Sequence, residues 1–132
     1  MDLEILKIAS DTKNNKLIDN CTHISKQKNN LCGDEMQISL IVSNKKIIDF
    51  AYQCKSCIYC QASVSILSKS SINKSVKSVE ELIYLIDSFF ERNKIKFPKE
   101  WRKLEILFDK KNISRKECIL LPFKTLTKAL KS

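Results

Sequence analysis

Two stretches in the first half of the chain alternate apolar and polar residues, which is the period of a half-buried β-strand. They cover residues 36–42 and 46–52, and the tripeptide Ser43-Asn44-Lys45 between them has the composition of a turn. The apolar side chains of the first stretch that share one face are Met36, Ile38 and Leu40. The apolar residues of the second stretch are Ile47, Ile48, Phe50 and Tyr52. The pattern therefore predicts an antiparallel β-hairpin.

After Cys57 the apolar residues recur with the period of a helix. We predict a helix whose first turn holds Cys57 and Cys60. Its small residues Ala62, Ser63 and Ser65 would let it lie close against the sheet. Farther along, Ser78-Val79-Glu80-Glu81 has the pattern of a capping box and predicts the start of a second helix. The apolar face of that helix comprises Val79, Leu82, Ile83, Ile86 and Phe90.

The two ends of the chain complete the predicted set of elements. Residues 3–9 predict one or two helical turns, and the polar residues 10–30 predict an extended surface connection. Phe97-Pro98 predicts that one element ends and that a new amphipathic segment begins. The apolar face of this segment comprises Trp101, Leu104, Leu107 and Phe108. Trp101, Phe108, Phe123 and Leu126 are assigned to the core.

The C-terminal helix has two possible starting points. Ser114-Arg115-Lys116-Glu117 resembles a second capping box, from which a helix would run through Phe123, Leu126 and Leu130. Pro122 would kink a helix that began there, because proline inside a helix removes one hydrogen bond. Alternatively, the helix restarts near Leu121 and leaves Cys118 in a loop or a frayed turn.

This order of elements predicts an α+β fold, with a small antiparallel sheet of about three strands packed against several helices. A length of 132 residues with 43% hydrophobic content suits one core, so we expect a single domain covering residues 1–132. No apolar run is long enough to span a bilayer, and the N-terminal residues include acids and no cationic leader. These features predict a cytoplasmic protein that does not associate with a membrane.

Charge and cysteine content narrow the function classes. The net charge is +9, but the lysines are scattered through every segment, whereas nucleic-acid binders usually gather them on one face. We therefore expect no nucleic-acid partner; a basic surface can instead steer docking onto an acidic protein. Six cysteines in a chain without a secretion signal favour metal or sulfur chemistry over disulfides.

Candidate metal ligands occur in three short motifs. Cys32 and Asp34 flank the only glycine of the chain, Gly33, which lets the backbone turn sharply there. Cys57 lies where the second predicted strand gives way to a helix, and Cys118 lies near the start of the last helix. Thiolates and a carboxylate together suit zinc or iron. A thiol near a helix N-terminus also has its thiolate favoured by the helix dipole.

These motifs resemble those of the U-type iron–sulfur cluster assembly scaffolds, the SufU/IscU family that also forms the N-terminal domain of NifU. The resemblance depends on Cys32-Gly33-Asp34, on Cys57 ahead of Gln61-Ala62-Ser63-Val64-Ser65, and on Cys118 ahead of Ile119-Leu120-Leu121-Pro122-Phe123. It extends over nearly the whole chain in order and spacing.

The resemblance implies a scaffold and carrier rather than an enzyme, on which a transient [2Fe–2S] cluster is built from iron and sulfur. Its cluster ligands would be Cys32, Cys57, Cys118 and Asp34, with Asp34 either a ligand or a residue that tunes release. Sulfur would arrive as persulfide from a PLP-dependent cysteine desulfurase, with Cys118 the first candidate for its acceptor. The cluster would pass to apo iron–sulfur proteins or to carrier proteins.

The chain departs from the family pattern at several positions, and one of them, the residue before Cys118, favours the SufU-like branch or an altered cluster stability. Cys54 and Ser56 stand where glycines usually flank the middle cysteine, and Glu117 stands where IscU-like members have a histidine. The long segment before Cys118, which contains Trp101, also resembles the SufU-like branch. That branch binds zinc at the same ligand set, so zinc is a possible occupant. The asparagines Asn29-Asn30 replace a proline that commonly precedes the Cys-Gly-Asp loop.

Two other functions stay open at this point. One is a zinc-dependent sulfurtransferase that relays persulfide without holding a cluster, and the other is a structural zinc module that acts as a binding adaptor. The run Cys54, Cys57 and Cys60 superficially matches a ferredoxin-type loop. We expect Cys54 and Cys60 to be small buried or half-buried residues, Cys21 to be structural, and His23 to be solvated.

Overall fold

The computed structural model describes residues 3–30, 33–92 and 97–131 of the chain. Its main elements are three strands and four α-helices, in the order α1 (Leu3–Ala9), β1 (His23–Lys28), β2 (Glu35–Ser43), β3 (Lys46–Lys55), α2 (Ile58–Ser71), α3 (Val76–Arg92) and α4 (Lys116–Leu130). Two 3₁₀ helices, Lys99–Ile106 and Lys110–Arg115, connect α3 to α4. The predicted α+β fold with a three-stranded antiparallel sheet is confirmed.

The predicted hairpin is present as β2 and β3, and both strands extend beyond the predicted stretches. Asn44 and Lys45 connect them with φ angles of 51° and 64°, the left-handed backbone that a two-residue hairpin turn requires. The register shifts between Ile41 and Val42, which marks a β-bulge. Ile48 is exposed, in contrast to the three other apolar residues predicted for this strand: Ile47, Phe50 and Tyr52.

The prediction that residues 10–30 form only an extended connection is wrong for their second half. His23–Lys28 forms the edge strand β1, which pairs antiparallel with β2. Its inward positions are polar and half-buried, whereas its apolar residue, Ile24, is 49% exposed. Hydrophobic alternation is therefore inverted in this strand, and for that reason the sequence pattern did not indicate it.

The helices cover one face of the sheet and enclose the core with it. Helix α4 contacts β1 and β2, α2 contacts β3, and α1 packs on α2. The 3₁₀ segment Lys99–Ile106 adds Trp101, which is 2% exposed, and the predicted core positions Leu104, Leu107 and Phe108 are buried with it. Phe123 and Leu126 are also buried, as predicted. Among the described residues, no helix combines the length and apolarity needed to cross a membrane.

The predicted capping boxes do not match the observed helix starts. Helix α3 begins at Val76, two residues before Ser78, and the hydroxyl of Ser75 accepts the backbone N–H of Ser78 at 3.1 Å. Ser114 lies within a 3₁₀ helix, and the residue before α4, Arg115, makes no side-chain cap. The side chain of Phe90, predicted on the apolar face of α3, lies outside the described part of the structure.

Helix α4 resolves the choice between the two predicted starting points. It begins at Lys116 and continues through Pro122 without interruption, so a restart near Leu121 is wrong and Cys118 lies in the first helical turn. Pro122 has no N–H and so cannot donate to the carbonyl of Cys118 four residues earlier. The position of Cys118 in a regular turn fixes the direction of its side chain relative to α2.

A buried hydrogen bond joins α2 to the start of α4. The hydroxyl of Ser63 donates to the carbonyl oxygen of Ile119 at 2.7 Å, and both residues are 0% exposed.

We expect Ser63→Ala to lower the free energy of unfolding by about 1 kcal/mol, because a hydrogen bond is lost in the core. Urea denaturation would measure this loss. The control is Ser10→Ala, which removes an exposed hydroxyl–carbonyl bond of the same length to Lys7; an equal loss in both variants would contradict the prediction.

Candidate metal centre

Three residues that are far apart in the sequence converge at one end of the sheet. One ligand atom from each of Asp34, Cys57 and Cys118 lies within 4.8 Å of the other two. Asp34 directly precedes β2, Cys57 is the N-cap residue of α2, and Cys118 is the third residue of α4. The structure thus brings together three of the four residues predicted as ligands. The fourth, Cys32, lies outside the described residues.

The backbone around Gly33 turns the Asp34 side chain inward. Gly33 has a φ of +76°, in the left-handed region that favours glycine. Its N–H donates to the carbonyl of Asn29 at 2.8 Å, and the N–H of Asn29 donates to the carbonyl of Asp34 at 2.8 Å. A Cβ at position 33 would meet no atom within 4 Å. The backbone angle, rather than crowding, is therefore the reason for a glycine here.

The Asp34 carboxylate is buried, and one of its two oxygens has no hydrogen-bond partner. The residue is 6% exposed, and its Oδ1 accepts the backbone N–H of Cys57 at 3.3 Å. Its Oδ2 is buried and has no hydrogen-bond partner. A buried carboxylate is costly unless it is paired or coordinates a metal. The orphaned oxygen, with two thiols nearby, therefore fits a site that receives a cation.

Two helix N-termini point at this site. Cys57 caps α2 with an extended backbone, φ −72° and ψ 168°, and Cys118 lies in the first turn of α4. The unsatisfied N–H groups and the dipole of each helix favour negative charge at that end. The bond from Ser63 to Ile119 holds the two helix starts together. Each of these helix N-termini therefore lies next to one cysteine of the converging group.

A contact that the sequence did not indicate strengthens this junction. The guanidinium of Arg115 lies over the ring of Tyr59, 5.4 Å from its centroid, and so links the residue before α4 to the first turn of α2. Cation–π contacts of this kind are attractive. The sequence pattern places Arg115 only within the capping-box pattern Ser114-Arg115-Lys116-Glu117. No local pattern could have paired it with an aromatic residue 56 positions away.

The other cysteines of the Cys54-to-Cys60 run lie near the site but differ from Cys57. Cys60 is 0% exposed and Cys54 is half-buried, as predicted. Burial raises the pKa of the Cys60 thiol far above its usual range, and the Asp34 carboxylate raises it further. Burial likewise raises the pKa of Cys54, with a smaller contribution from Asp34. Burial thus disfavours the thiolate form, which is the form that binds metals, at both residues.

Two further residues considered in the sequence, His23 and Glu117, make other contacts. His23 pairs across the sheet with Leu40, whereas the site lies beside Glu35 at the opposite end of β2. The Nδ1 of His23 lies 2.8 Å from the Thr22 hydroxyl. Glu117, at the position where IscU-like members have a histidine, forms a salt bridge with Lys124 at 3.0 Å. Neither belongs to the group of converging ligand atoms found in the described chain.

Comparisons with known proteins agree on one family. The family model for the NifU-like N-terminal domain matches residues 3–92. The chain is 30% identical over 133 aligned positions to the iron–sulfur cluster assembly scaffold protein IscU of Thermotoga maritima, covering 96% of this chain and 89% of that protein.

Two solved structures have the same fold. FiSufU of Fervidobacterium islandicum AW-1, a candidate iron–sulfur cluster assembly scaffold for the SUF system, has a TM-score of 0.90 at 26% identity, over 98% of this chain and 96% of that one. The N-terminal part of a NifU-like protein of Brucella abortus also gives 0.90, at 17% identity over 98% and 91% of the two chains, and shows the fold alone. By its family model, its relative and its fold, the chain belongs to the NifU-like N-terminal domain family.

Proposed function

We propose that this protein is a scaffold for iron–sulfur cluster assembly, which holds a nascent cluster and then passes it on. The observation that carries the proposal is the convergence of Asp34, Cys57 and Cys118 within 4.8 Å around an orphaned buried carboxylate oxygen. The names of the Thermotoga and Fervidobacterium relatives support the same function.

The ligand set we propose is Cys32, Cys57, Cys118 and Asp34. Thiolates are the usual ligands of iron–sulfur clusters, and the two helix N-termini favour the negative charge of thiolates and sulfide. Cys32 is included because only Gly33 separates it from Asp34 in the sequence. The cargo would be a [2Fe–2S] cluster, whose two irons need four protein ligands.

The mixture of ligands suits a cargo that must leave. Carboxylate oxygen is a harder donor than sulfur and matches iron–sulfur chemistry less well than a thiolate does. Cys57 is half-buried, so the site is open on its side, whereas Cys118 is 5% exposed. Asp34 would then be the ligand that yields first, and recipients would approach from the side of Cys57.

Sulfur would come from a PLP-dependent cysteine desulfurase, and apo-proteins or carriers would take the finished cluster. Cys118 stays the proposed acceptor of persulfide sulfur. Its Sγ and that of Cys57 lie within 4.8 Å, which is close enough for sulfur to pass between them. Arg115 and Lys116 are exposed at the start of α4 and offer basic contacts to an acidic partner surface.

Anaerobic reconstitution tests this proposal. The purified chain is incubated with ferrous iron and inorganic sulfide, and then freed of excess reagent. We expect visible sulfur-to-iron charge-transfer absorption, with about two irons and two sulfides bound per cluster. Cys21→Ser serves as the control and should give the same absorption as the unmodified chain, since Cys21 is a half-buried cysteine outside the group of converging ligand atoms. A colourless protein without bound iron would contradict the proposal.

Zinc-dependent sulfur transfer is the second candidate, because three thiolates and a carboxylate also satisfy tetrahedral zinc. In that case the purified chain would contain one zinc and accept persulfide, yet form no cluster under the conditions above. Metal analysis of the same sample therefore separates the two functions.

A further inference from the structure

The metal centre leaves one thiol of the Cys57–Cys60 pair without a role. Cys57 is the N-cap residue of α2 and Cys60 is its third residue. The N–H of Gln61 donates to the carbonyl of Cys57 at 3.0 Å, so the backbone is already helical across this turn. Cα atoms three residues apart in a helix are about 5 Å apart, within the range that a disulfide spans. The backbone spacing therefore allows a disulfide between the two residues.

Cys54 is not an equivalent partner for Cys57. It lies in β3, and no turn or bend interrupts the chain between the strand and Cys57. Three extended residues separate Cα atoms by about 10 Å, beyond the ~7 Å limit for a disulfide. The backbone thus allows a disulfide between Cys57 and Cys60 and excludes one between Cys54 and Cys57.

The pair is asymmetric in the way that a dithiol redox site requires. Cys57 is half-buried at the N-terminus of α2, whereas Cys60 is fully buried in the first turn of the same helix. Asp34 lies beside Cys57, is 6% exposed and has an unpartnered buried Oδ2. Cys57 can take up sulfur that Cys118 has accepted, and Cys60 can then resolve the product.

We propose that Cys57 and Cys60 form a dithiol that reduces persulfide sulfur to sulfide at the metal centre. This inference rests on the scaffold function proposed above. A cluster contains sulfide, whereas a persulfide delivers sulfur two electrons more oxidised. The dithiol supplies those two electrons within the same chain.

The step balances in atoms and electrons. Cys57 first carries the delivered sulfur as Cys57–S–SH. The thiol of Cys60 attacks the Sγ of Cys57 while its proton passes to the outer sulfur. The bond between Sγ and the outer sulfur breaks, and the outer sulfur leaves as H₂S. The products are one H₂S and a Cys57–Cys60 disulfide. A dithiol reductant, itself oxidised to a disulfide, then restores both thiols and returns Cys57 to the ligand set.

The test uses the full chain with glutathione persulfide as the sulfur donor, without iron or any other reductant. After removal of excess donor, released sulfide is assayed and the protein is digested with trypsin. Cleavage after Lys55 and Lys69 places Cys57 and Cys60 on one peptide and Cys54 on another. We expect about one sulfide per chain, and peptide 56–69 lighter by two hydrogens.

Cys60→Ser and Cys60→Ala are the variants, since one of them can fold if the other does not. Both are expected to retain the added sulfur as persulfide and to release at least about tenfold less sulfide. Cys54→Ser is the matched control and should behave as the wild type. A variant that releases sulfide like the wild type, or a disulfide linking the Cys54 peptide, would overturn the inference.

A second assay distinguishes failure of the dithiol inference from failure of the scaffold proposal. Supplied with inorganic sulfide, Cys60→Ser should assemble a cluster as the wild type does, because no reduction is then needed. Failure of the wild type in that assay counts against the scaffold. Success there, combined with no sulfide release from persulfide, counts against the dithiol alone.

Discussion

Replacing Cys118 with alanine is expected to lower the affinity of the chain for zinc by about 100-fold or more. The variant removes one of three donor atoms that converge within 4.8 Å, and residues that merely support a metal ligand already contribute 10- to 100-fold. Competition with a chromophoric chelator at neutral pH measures the dissociation constant. The substitution is small and buried, so a modest loss of stability will accompany the loss of affinity.

The matched control for this prediction is Cys21→Ser, which removes a thiol outside the converging group. Its zinc affinity should stay within about threefold of the wild type. If Cys118→Ala also stays within that range, Cys118 is not a ligand. The first turn of α4 would then serve packing only.

Asp34→Asn is expected to change stability and metal affinity in opposite directions. The apoprotein should gain about 1–2 kcal/mol in its free energy of unfolding, because a buried charge with one hydrogen bond is replaced by a neutral amide that can still accept the N–H of Cys57. Zinc affinity should fall about tenfold or more, because an anionic donor is lost. Urea denaturation of the metal-free protein and the same chelator assay measure the two effects.

Asp11→Asn is the control for the charge change. Asp11 pairs with Lys69 at the surface, and this side-chain hydrogen bond lowers its pKa. Both quantities should remain close to those of the wild type, because solvent screens the exposed pair. An Asp34→Asn apoprotein that is less stable than the wild type would contradict the prediction, since the buried carboxylate would then stabilise the fold without a metal.

The sequence was most informative where local chemistry and tertiary structure agree. Hydrophobic alternation predicted β2 and β3, because both strands turn apolar residues towards the helices. The Cys-Gly-Asp motif predicted a sharp turn, and Gly33 takes the left-handed backbone that such a turn needs. The residue types at positions 34, 57 and 118 indicated a shared site before any distance between them was known.

Other features depend on contacts that carry no local signal. Edge strand β1 buries polar side chains and exposes Ile24, so its alternation is the reverse of the usual one. Ser75 and Ser78 both suit a helix cap, and only the observed hydrogen bond selects Ser75. The contact of Arg115 with Tyr59 and the bond from Cys57 to Asp34 join distant segments. The fold alone brings these partners together.

X-ray absorption at the zinc edge of the chain loaded with one equivalent of zinc tests the proposed ligand set most directly. A centre formed by Cys32, Cys57, Cys118 and Asp34 predicts about three sulfur neighbours at ~2.3 Å and one oxygen neighbour at ~2.0 Å. In Cys118→Ala the sulfur count should fall to about two. A wild-type spectrum with only nitrogen and oxygen neighbours, or a sulfur count unchanged by the substitution, would contradict this ligand set.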